Sequence, residues 1–328
     1  MKRREFLTLA GGAAAAWPSL SAQAQQRAVP VIGYINAGTD EAIRSLTAAF
    51  RRGLGEFGYV EGKNVELLYR WGEARYDRLP ALAMDLVQHR VDLIVATGGN
   101  ATALAAKSAT TTIPTVFTSS GDPVELGLVS NISHPGGNIT GFTFLLLALM
   151  PKRLELMQKV IGQGRSVAYF VNPTGAGSAA EMTEIASAAR TLGMQLVIEN
   201  VSTPTEIEAA FATFGGRQIS GVLLAGDPLF YFQRDQVAAL AARYKLPISA
   251  GVREITEAGG LMSYGASVGE AWHLVGTYAG RILKGEKPGD LPVQQSSKVE
   301  FVLNLRSAKA LDLTIPPAVL SLADEVIE

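Results

Sequence analysis

The stretch PTVFTSSGDPVELG, residues 114–127, joins a short apolar run to small polar residues and then to a helix signal. Thr115–Phe117 is typical of a buried strand. Asp122-Pro123 is typical of a helix start, where Asp caps the helix and Pro occupies its first turn. Two explanations of these polar residues compete: they only cap the helix, or they face a cleft and hold a small molecule.

The same order of strand, loop and helix repeats along the chain. Short β-branched runs such as Val31–Ile35 and Val167–Val171 predict strands that are covered on both faces. Apolar residues at helical spacing lie between them, as in the segment from Ile43 to Phe57. Alternating strands and helices predict parallel sheets with right-handed crossovers. Because a second series begins near Met150, we predict an α/β protein of two Rossmann-like, doubly wound lobes.

The chain is expected to cross between these lobes more than once, because its tail from Asp290 is extended and interrupted by prolines. We expect the first lobe to contain residues 29–145 and about 264–290. The second lobe then contains residues from about 146 to 263 and residues 291–328.

Composition excludes several classes of protein. The 328 residues carry a net charge of −1 without a long run of one sign, so a basic footprint for nucleic acid is absent. No apolar stretch reaches the roughly 18–20 residues that span a bilayer. There is no cysteine, and His89, His134 and His273 are too far apart in sequence to suggest a zinc site. We therefore expect no metal, no cofactor, no nucleic-acid partner and no stable membrane insertion.

The first 24 residues have the order of an export signal. Lys2, Arg3 and Arg4 precede an apolar segment, and the stretch ends in Ala22-Gln23-Ala24. The arginine pair resembles the twin-arginine signal, which exports folded proteins. The alternative is an ordinary N-terminal helix with a chance arginine pair. We predict cleavage after Ala24 and a periplasmic protein.

Ligands of open α/β sheets bind beyond the carboxyl ends of the strands, where loops lead into helix N-termini. The loops at these places are short, polar and rich in glycine: Asn36-Ala37-Gly38-Thr39, Thr97-Gly98-Gly99-Asn100, Ser119-Ser120-Gly121-Asp122, Asn172-Pro173-Thr174, Gly226-Asp227-Pro228 and Ala250-Gly251. Backbone N–H groups of such loops can cradle a carboxylate, for which we expect Thr97–Asn100 and Ser119–Ser120. Since Gly-Asp-Pro occurs at two equivalent places, Asp122 and Asp227 are expected to face one shared cleft. Each would cap a helix and also contact the ligand.

Motifs for catalysis are incomplete. Gly265-Ala266-Ser267-Val268-Gly269 matches the nucleophile elbow of hydrolases. Only His273 follows Ser267, and six residues along a helix place it about 9 Å further and on another face. Ser267 is therefore expected to be a helix cap, although an exported serine hydrolase stays as an alternative. Neither a dinucleotide fingerprint nor a phosphate-binding loop is present, so we predict no catalytic residues.

Longer motifs resemble one family. The segments Gly121–Val124, Gly127–Val129, Pro135–Gly141 and the block from Glu257 to Leu320 look like a group of ABC-transporter substrate-binding proteins with tryptophan- and tyrosine-binding members. KRLELM, residues 152–157, is similar to the start of that family's second lobe. The resemblance implies a type I periplasmic-binding fold, in which crossover strands join the two lobes. It also implies a ligand that passes from the cleft to a membrane permease, which a cytoplasmic ATPase drives.

The resemblance also implies which residues contact the ligand. They are Asn36, Thr97, Ser119, Asp122, Asn172, Asp227 and Glu254, with Tyr264 on a crossover strand as a further candidate. The strand-end loops themselves add Gly98, Asn100, Ser120, Thr174 and Gly251 as expected ligand contacts. Relatives that bind amino acids often have alanine or proline after the position of Thr97, whereas Gly98-Gly99-Asn100 is roomier and more polar. This difference counts against an amino-acid ligand.

The sequence thus predicts a monomeric periplasmic solute-binding protein of an ABC importer. Its expected ligand is a small solute that bears a carboxylate, with amino acids and aromatic acids among the candidates. A ligand-sensing domain that signals to a membrane receptor is the alternative, because it would have the same cleft.

Overall fold

The computed structural model describes residues 29–144, 146–296 and 298–328. The predicted export signal, residues 1–24, lies outside the described residues. Within them, no helix combines the length and the hydropathy needed to cross a bilayer.

The described residues form two sheets with helices on their faces. The strands are β1 Val31–Asn36, β2 Glu66–Trp71, β3 Leu93–Thr97, β4 Thr115–Ser119, β5 Ile139–Thr143, β6 Ser166–Val171, β7 Gln195–Asn200, β8 Ile219–Leu224, β9 Ile248–Ala250, β10 Met262–Ala266, β11 Gln294–Gln295, β12 Val299–Asn304 and β13 Glu325–Ile327.

The helices connect these strands. They are α1 Arg44–Gly55, α2 Leu79–Gln88, α3 Asn100–Ala109, α4 Met150–Ile161, α5 Ser178–Thr191, α6 Pro204–Thr213, α7 Pro228–Phe232, α8 Arg234–Tyr244, α9 Arg253–Glu257, α10 Val268–Leu283, α11 Leu305–Ala310 and α12 Pro317–Leu320. Single 3₁₀ turns occur at Tyr76–Arg78, Leu146–Leu149, Phe214–Gly216 and Pro288–Asp290.

The first sheet has the strand order β11-β5-β4-β3-β1-β2, and all its pairs are parallel. The second has the order β13-β12-β10-β9-β8-β6-β7, with β10 and β12 antiparallel. Both orders reverse direction beside the first strand of their series, which is the arrangement of doubly wound sheets. The predicted fold of two doubly wound α/β lobes is confirmed.

Helices cover both faces of each sheet. In β1, Tyr34 packs in a core that contains residues of α1 and α10, while the next residue, Ile35, packs in a core with α2 and α3. Successive side chains of a strand point to opposite faces, so the continuous apolar run of β1 supplies both cores. A third core fills the second lobe on both sides of β6 and β8.

The strand pairs locate the crossings between the lobes. Residues up to Thr143 belong to the first sheet, and Met150 already packs in the core of the second lobe. The chain returns after Ala266, the last residue of β10, and crosses again between Gln295 and Val299. The last two positions lie a few residues beyond the boundaries expected from the sequence. Apolar periodicity marks a strand but does not indicate the sheet in which it pairs.

Close contact between α1 and α10 holds the second segment of the first lobe in place. The backbones approach so closely that a Cβ atom on Gly276 would overlap the carbonyl oxygen of Phe50. A Cβ atom on Gly53 would overlap the carbonyl oxygen of His273 in the same way. Glycine is required at both positions because the obstacle is backbone, which cannot turn aside.

Gly276→Ala is expected to lower the free energy of unfolding by about 1–3 kcal/mol, because the added methyl group forces α1 and α10 apart. Urea unfolding followed by circular dichroism measures this change. Gly269→Ala in the same helix is the matched control, since a Cβ atom there would meet open space. The control should leave stability unchanged or raise it by up to about 1 kcal/mol. Equal stability of the two variants would contradict the close packing.

Candidate functional site

The carboxyl ends of both sheets meet at an open cavity, here called the main cavity, whose space including the solvent at its mouth is about 660 Å³. It is lined by residues of both lobes: Asn36, Ile43, Leu46, Gly98, Gly99, Thr118, Ser119, Ser120, Phe144, Leu146, Ala225, Gly226, Asp227, Pro228, Phe230, Tyr231, Phe232, Gly251, Val252, Ile255, Val268 and Trp272. In open α/β sheets, ligands bind at the carboxyl ends of the strands, commonly in clefts with apolar walls and a few polar groups. The main cavity therefore has the position and the kind of lining of a binding site for a small molecule.

Most of this lining is aliphatic or aromatic. From the first lobe, Trp272 and Phe144 contribute rings whose centroids lie 6.4 Å apart. From the second lobe, Tyr231 and Phe232 contribute a perpendicular pair with centroids 6.0 Å apart. The main cavity thus presents aromatic surface from both sides of the cleft.

A buried chain of hydrogen bonds orients the Trp272 ring. Its indole N–H donates to the Tyr34 hydroxyl at 2.9 Å, and the Thr97 hydroxyl donates to the same oxygen at 3.0 Å. Thr97 in turn accepts a bond from the side-chain amide of Asn36 at 2.9 Å. The side-chain oxygen of Asn36 accepts the Gly38 N–H at 2.7 Å. Because the indole N–H is already bonded to Tyr34, the ring presents only apolar surface to the main cavity.

A second cavity of about 350 Å³, here called the polar pocket, adjoins the first. It shares Gly98, Ser120, Gly226, Asp227 and Pro228 with the main cavity. Its other lining residues are Tyr76, Asn100, Ala101, Val171, Asn172, Gly175, Ala176, Ser178 and Glu181. The cleft therefore has one apolar part and one polar part, side by side.

Asp227 lies where the two cavities meet. One carboxylate oxygen, Oδ1, accepts bonds from the Leu229 N–H at 2.9 Å and from the Tyr76 hydroxyl at 2.7 Å. The Asn172 amide donates to the same oxygen at 3.4 Å. The other oxygen, Oδ2, makes none of these bonds, and it lies where a Cβ atom on Gly175 would approach within 2.7 Å. Burial raises the pKa of Asp227, and the bond from Tyr76 opposes that rise.

Glu181 supplies a second carboxylate from the first turn of α5. It accepts a bond from the Tyr169 hydroxyl at 3.1 Å. Burial raises the pKa of Glu181, while the positive charge of Arg153 acts in the opposite direction. Arg153 is fully buried and donates to the Leu224 carbonyl oxygen at 2.9 Å. Two carboxyl groups therefore lie near this wall of the pocket, and one guanidinium lies behind it.

Two helices begin at the polar pocket. The pocket is lined by Asn100 and Ala101 at the start of α3 and by Ser178 at the start of α5. The N-terminal end of a helix carries a partial positive charge and N–H groups that lack partners within the helix. The polar pocket therefore combines carboxylates with groups that attract an anion.

Several contacts hold the lobes together around the cleft. The Tyr76 hydroxyl of the first lobe bonds to Asp227 of the second, and the Asn100 amide donates to the Ala176 carbonyl oxygen at 2.8 Å. A Cβ atom on Gly38 would lie 2.6 Å from the Phe232 ring. A Cβ atom on Gly99 would lie 2.5 Å from Pro228. These contacts define a closed arrangement of the two lobes.

The structure brings eight of the predicted ligand contacts to the cleft. Those that line the main cavity, the polar pocket or both are Asn36, Gly98, Asn100, Ser119, Ser120, Asn172, Asp227 and Gly251. Most of their polar side chains already bond to protein. The side-chain oxygen of Asn100, for example, accepts a bond from the backbone N–H of Ser120 at 2.8 Å. The expected use of that N–H for a ligand carboxylate therefore does not fit the closed arrangement.

The other five predicted contacts line neither cavity. Thr97 lies behind the Trp272 ring, where it bonds to Tyr34. Thr174 donates from its N–H and its hydroxyl to the side-chain oxygen of Asn172. Tyr264 packs against Phe301. Glu254 lies on α9, where its buried Oε2 atom has no hydrogen-bond partner among the residues that the structure describes.

Asp122 is the fifth, and its surroundings differ from those of Asp227 in the other Gly-Asp-Pro segment. Its carboxylate accepts the Val124 N–H at 2.7 Å and the Glu125 N–H at 3.3 Å. The expected helix after Pro123 does not form. Residues 123–127 make turns, and the last of them, Gly127, has a left-handed φ of 68° that a helix would not accommodate. Asp122 caps this turn, while Asp227 lies in the cleft, so the two aspartates do not have the expected equivalent positions.

The glycines at 98 and 99 do not create the extra room that the sequence suggested. Both have a positive φ, 87° and 97°. Pro228 of the second lobe occupies the space beside Gly99. The objection to an amino-acid ligand, which rested on a roomier loop, therefore loses its basis.

Other residues of the cleft were not predicted. Glu181 and Tyr76 lie outside the strand-end loops that the sequence analysis considered, and Trp272 resembled an ordinary core residue. Glu181 follows the loop that begins at Asn172 and lies in the first turn of the next helix. That position is the one signal in the sequence that points toward it.

Ser267 has the role of a helix cap. Its hydroxyl accepts the Glu270 N–H at 3.3 Å at the start of α10, while His273 pairs with Glu56 at 3.1 Å. In the part of the chain that the structure describes, no three His, Cys, Asp or Glu residues are grouped to hold a metal ion.

Comparisons with known proteins agree with this architecture. The family model of ABC transporter substrate binding proteins matches residues 15–327. A tyrosine-binding protein of Clostridioides difficile strain R20291 is 27% identical over 264 residues, which are 80% of this chain and 75% of that protein.

Two solved structures have the same fold. A conserved domain protein from Vibrio cholerae has a TM-score of 0.83 at 26% identity, covering 91% of this chain and 99% of that one. An ABC domain in complex with L-Trp from Streptococcus pneumonia has a TM-score of 0.80 at 23% identity, over the same shares of the two chains.

Gly38→Val is expected to hold the lobes apart, because the new side chain would occupy the place of the Phe232 ring. Small-angle X-ray scattering should give a larger radius of gyration than for the unaltered protein, while the melting temperature stays the same. Gly55→Val is the control, since a Cβ atom there meets open space in the same lobe. Identical scattering from Gly38→Val and the unaltered protein would contradict this role of Gly38.

Proposed function

Because the chain belongs to the ABC transporter substrate-binding proteins and has their two-lobed type I periplasmic-binding fold, we propose that it captures an aromatic amino acid and delivers it to an ABC permease. Delivery would take place from the periplasm, with a cytoplasmic ATPase driving the permease. The observation that carries the choice of ligand is the pairing of an aromatic cavity with a polar pocket that contains both carboxylates and helix N-termini.

The main cavity suits the ligand's side chain. An aromatic side chain buries about 150–250 Å², and each Å² of apolar surface removed from water contributes about 25 cal/mol. Burial between Trp272 and Phe232 would thus contribute roughly 4–6 kcal/mol. This term is large but non-directional, so polar contacts must decide which apolar solute is accepted.

The polar pocket suits an ammonium group. Asp227 and Glu181 are half-buried carboxylates, and in the described part of the chain no lysine or arginine forms an ion pair with either of them. Arg153 compensates one of the two charges from behind the cavity wall. A ligand ammonium would compensate the other, with the Oδ2 atom of Asp227 as its acceptor.

The same pocket suits the ligand's carboxylate. The N-terminal turns of α3 and α5 approach it from opposite lobes. A carboxylate between them would accept backbone N–H bonds and interact with both helix dipoles. A zwitterion thus meets opposite charges within one pocket, and its two groups contact both lobes.

Contacts to both lobes explain why binding would favour closure. A ligand shifts an equilibrium only by its difference in affinity for the two states. In the open state, the groups of α3 would be separated from those of α5 and α7, so the ligand would lose half of its contacts. The closed, loaded form is then the one that a permease recognises.

The relatives support an amino acid of this type. The Clostridioides difficile relative is named for tyrosine, and the Streptococcus structure holds L-Trp. The carboxylate expected from the sequence is retained in this proposal, and the aromatic amino acid is chosen on the chemistry of the cleft.

L-Tyrosine, L-tryptophan or L-phenylalanine should raise the melting temperature of the purified protein. A ligand at a hundred times its Kd adds about 2.7 kcal/mol of stability, which corresponds to roughly 5–10 °C for lobes of this size. Tyramine, which lacks the carboxylate, and 3-(4-hydroxyphenyl)propionate, which lacks the ammonium, should produce much smaller shifts. Shifts with these two analogues as large as with tyrosine would contradict a zwitterion site.

Affinity for an amino acid should fall as the pH is lowered from 7 toward about 4. A ligand ammonium favours ionised Glu181 and Asp227, so their pKa values are lower in the complex than in the free protein. The complex therefore binds fewer protons than the free protein, and acid opposes binding. Because burial raises both pKa values in the free protein, the loss begins at a higher pH than for exposed carboxylates.

Glu181→Gln should weaken binding and make it less dependent on pH, as isothermal titration calorimetry at several pH values would measure. Glu184→Gln, an exposed position one turn along in α5, is the matched control and should behave like the unaltered protein. A pH profile that Glu181→Gln leaves unchanged would remove Glu181 from the site.

A further inference from the structure

Thr118 contributes an unused hydrogen-bonding group to the main cavity. It lies on β4, its side chain is fully buried, and it lines the main cavity but not the polar pocket. Its Oγ1 atom has no hydrogen-bond partner in the described part of the chain. Buried polar atoms are normally satisfied, and because Thr118 lines the main cavity, a molecule bound there can supply its partner.

Other polar side chains on the same wall are already occupied. The Asn36 amide bonds to Thr97, the Trp272 indole bonds to Tyr34, and the Ser120 hydroxyl donates to Asn100 at 3.3 Å. A polar group of a ligand that enters this cavity therefore finds an unoccupied partner at Thr118.

The surroundings of Thr118 are the aromatic part of the cleft. In the sheet, Thr118 lies opposite Phe142 of β5, whose ring contacts Phe144 at a centroid distance of 5.2 Å. Two residues before it on the same face of β4, Val116 packs in the core that contains Trp272. The hydroxyl thus lies among the rings that would surround a ligand side chain, and not beside the groups that would hold its zwitterion.

On the basis of the proposed function, we propose that Thr118 determines specificity by bonding to a polar group on the ligand's aromatic ring. The phenolic hydroxyl of tyrosine and the indole N–H of tryptophan are groups of this kind, because a threonine hydroxyl can both donate and accept. Phenylalanine would leave the Thr118 hydroxyl buried and unpaired. A site built to bond a ligand group discriminates strongly against the analogue that lacks it.

Calorimetric titration with L-tyrosine, L-tryptophan and L-phenylalanine tests this assignment. The unaltered protein should bind tyrosine or tryptophan at least about tenfold more tightly than phenylalanine. Thr118→Val keeps the shape and removes the hydroxyl, so it should reduce that preference by about tenfold. Its affinity for phenylalanine should stay the same or rise. Thr118→Ser keeps the hydroxyl and should retain most of the preference.

Thr256→Val is the matched control. The hydroxyl of Thr256 is also fully buried and has no partner among the described residues, but Thr256 does not line either cavity. This variant should bind all three amino acids like the unaltered protein, since it makes the same chemical change away from the ligand.

Two results would overturn the assignment while the proposed function stands. One is an unaltered protein that binds phenylalanine as tightly as tyrosine and tryptophan, a result that needs no variant to fold. The other is a Thr118→Val variant that weakens all three ligands equally or preserves the preference. If the unaltered protein binds none of the three, the proposed function fails and this inference fails with it.

Discussion

The carboxylate of Asp227 has three structural roles at once: it caps a helix, joins the two lobes and lines the cleft. It caps α7, it accepts the hydroxyl of Tyr76 from the other lobe at 2.7 Å, and it lines both cavities. A buried carboxylate is unfavourable unless hydrogen bonds or an opposite charge compensate it. The closed arrangement supplies these hydrogen bonds through Oδ1, while none of the described lysine and arginine residues pairs with Oδ2. Closure and ligand capture are therefore coupled through one side chain.

This coupling explains the chemistry of the surrounding residues. Tyr76 is a donor that remains neutral, because burial raises its pKa well above the ordinary value. Arg153 lies behind the wall and reduces the repulsion between the two carboxylates without occupying the pocket. Gly38 and Gly99 let the lobes approach until Phe232 and Pro228 fill the space that side chains would take. The cleft can thus close tightly and still leave one negative charge for a ligand.

The sequence was sufficient for the fold and for part of the site. Parallel strands covered on both faces must be continuously apolar, so the runs Val31–Ile35 and Val167–Val171 indicated one lobe each. The strand-end rule led to Asn36, Gly98 and Asp227. The same rule failed to separate Asp227 from Asp122, because both follow a glycine and precede a proline. What differs is tertiary: Tyr76 and Asn172 lie 151 and 55 positions from Asp227 in sequence, and only folding brings them to it.

Polar groups on an apolar wall are the least predictable feature, and they carry the most information about the ligand. Hydrophobic burial is proportional to area, so the rings of Trp272 and Phe232 attract any apolar solute of suitable size. Hydrogen bonds are directional, but most of those near the main cavity are already made within the protein, as at Asn36 and Trp272. Such bonds stiffen the wall, but their polar atoms are then not available to distinguish one solute from another.

Discrimination between solutes then depends on an atom that the free protein leaves unsatisfied. The Thr118 hydroxyl is such an atom, because its strand places it under the aromatic rings. A strand residue of this kind looks like any other buried threonine in the sequence, since its function depends on a partner that arrives with the ligand.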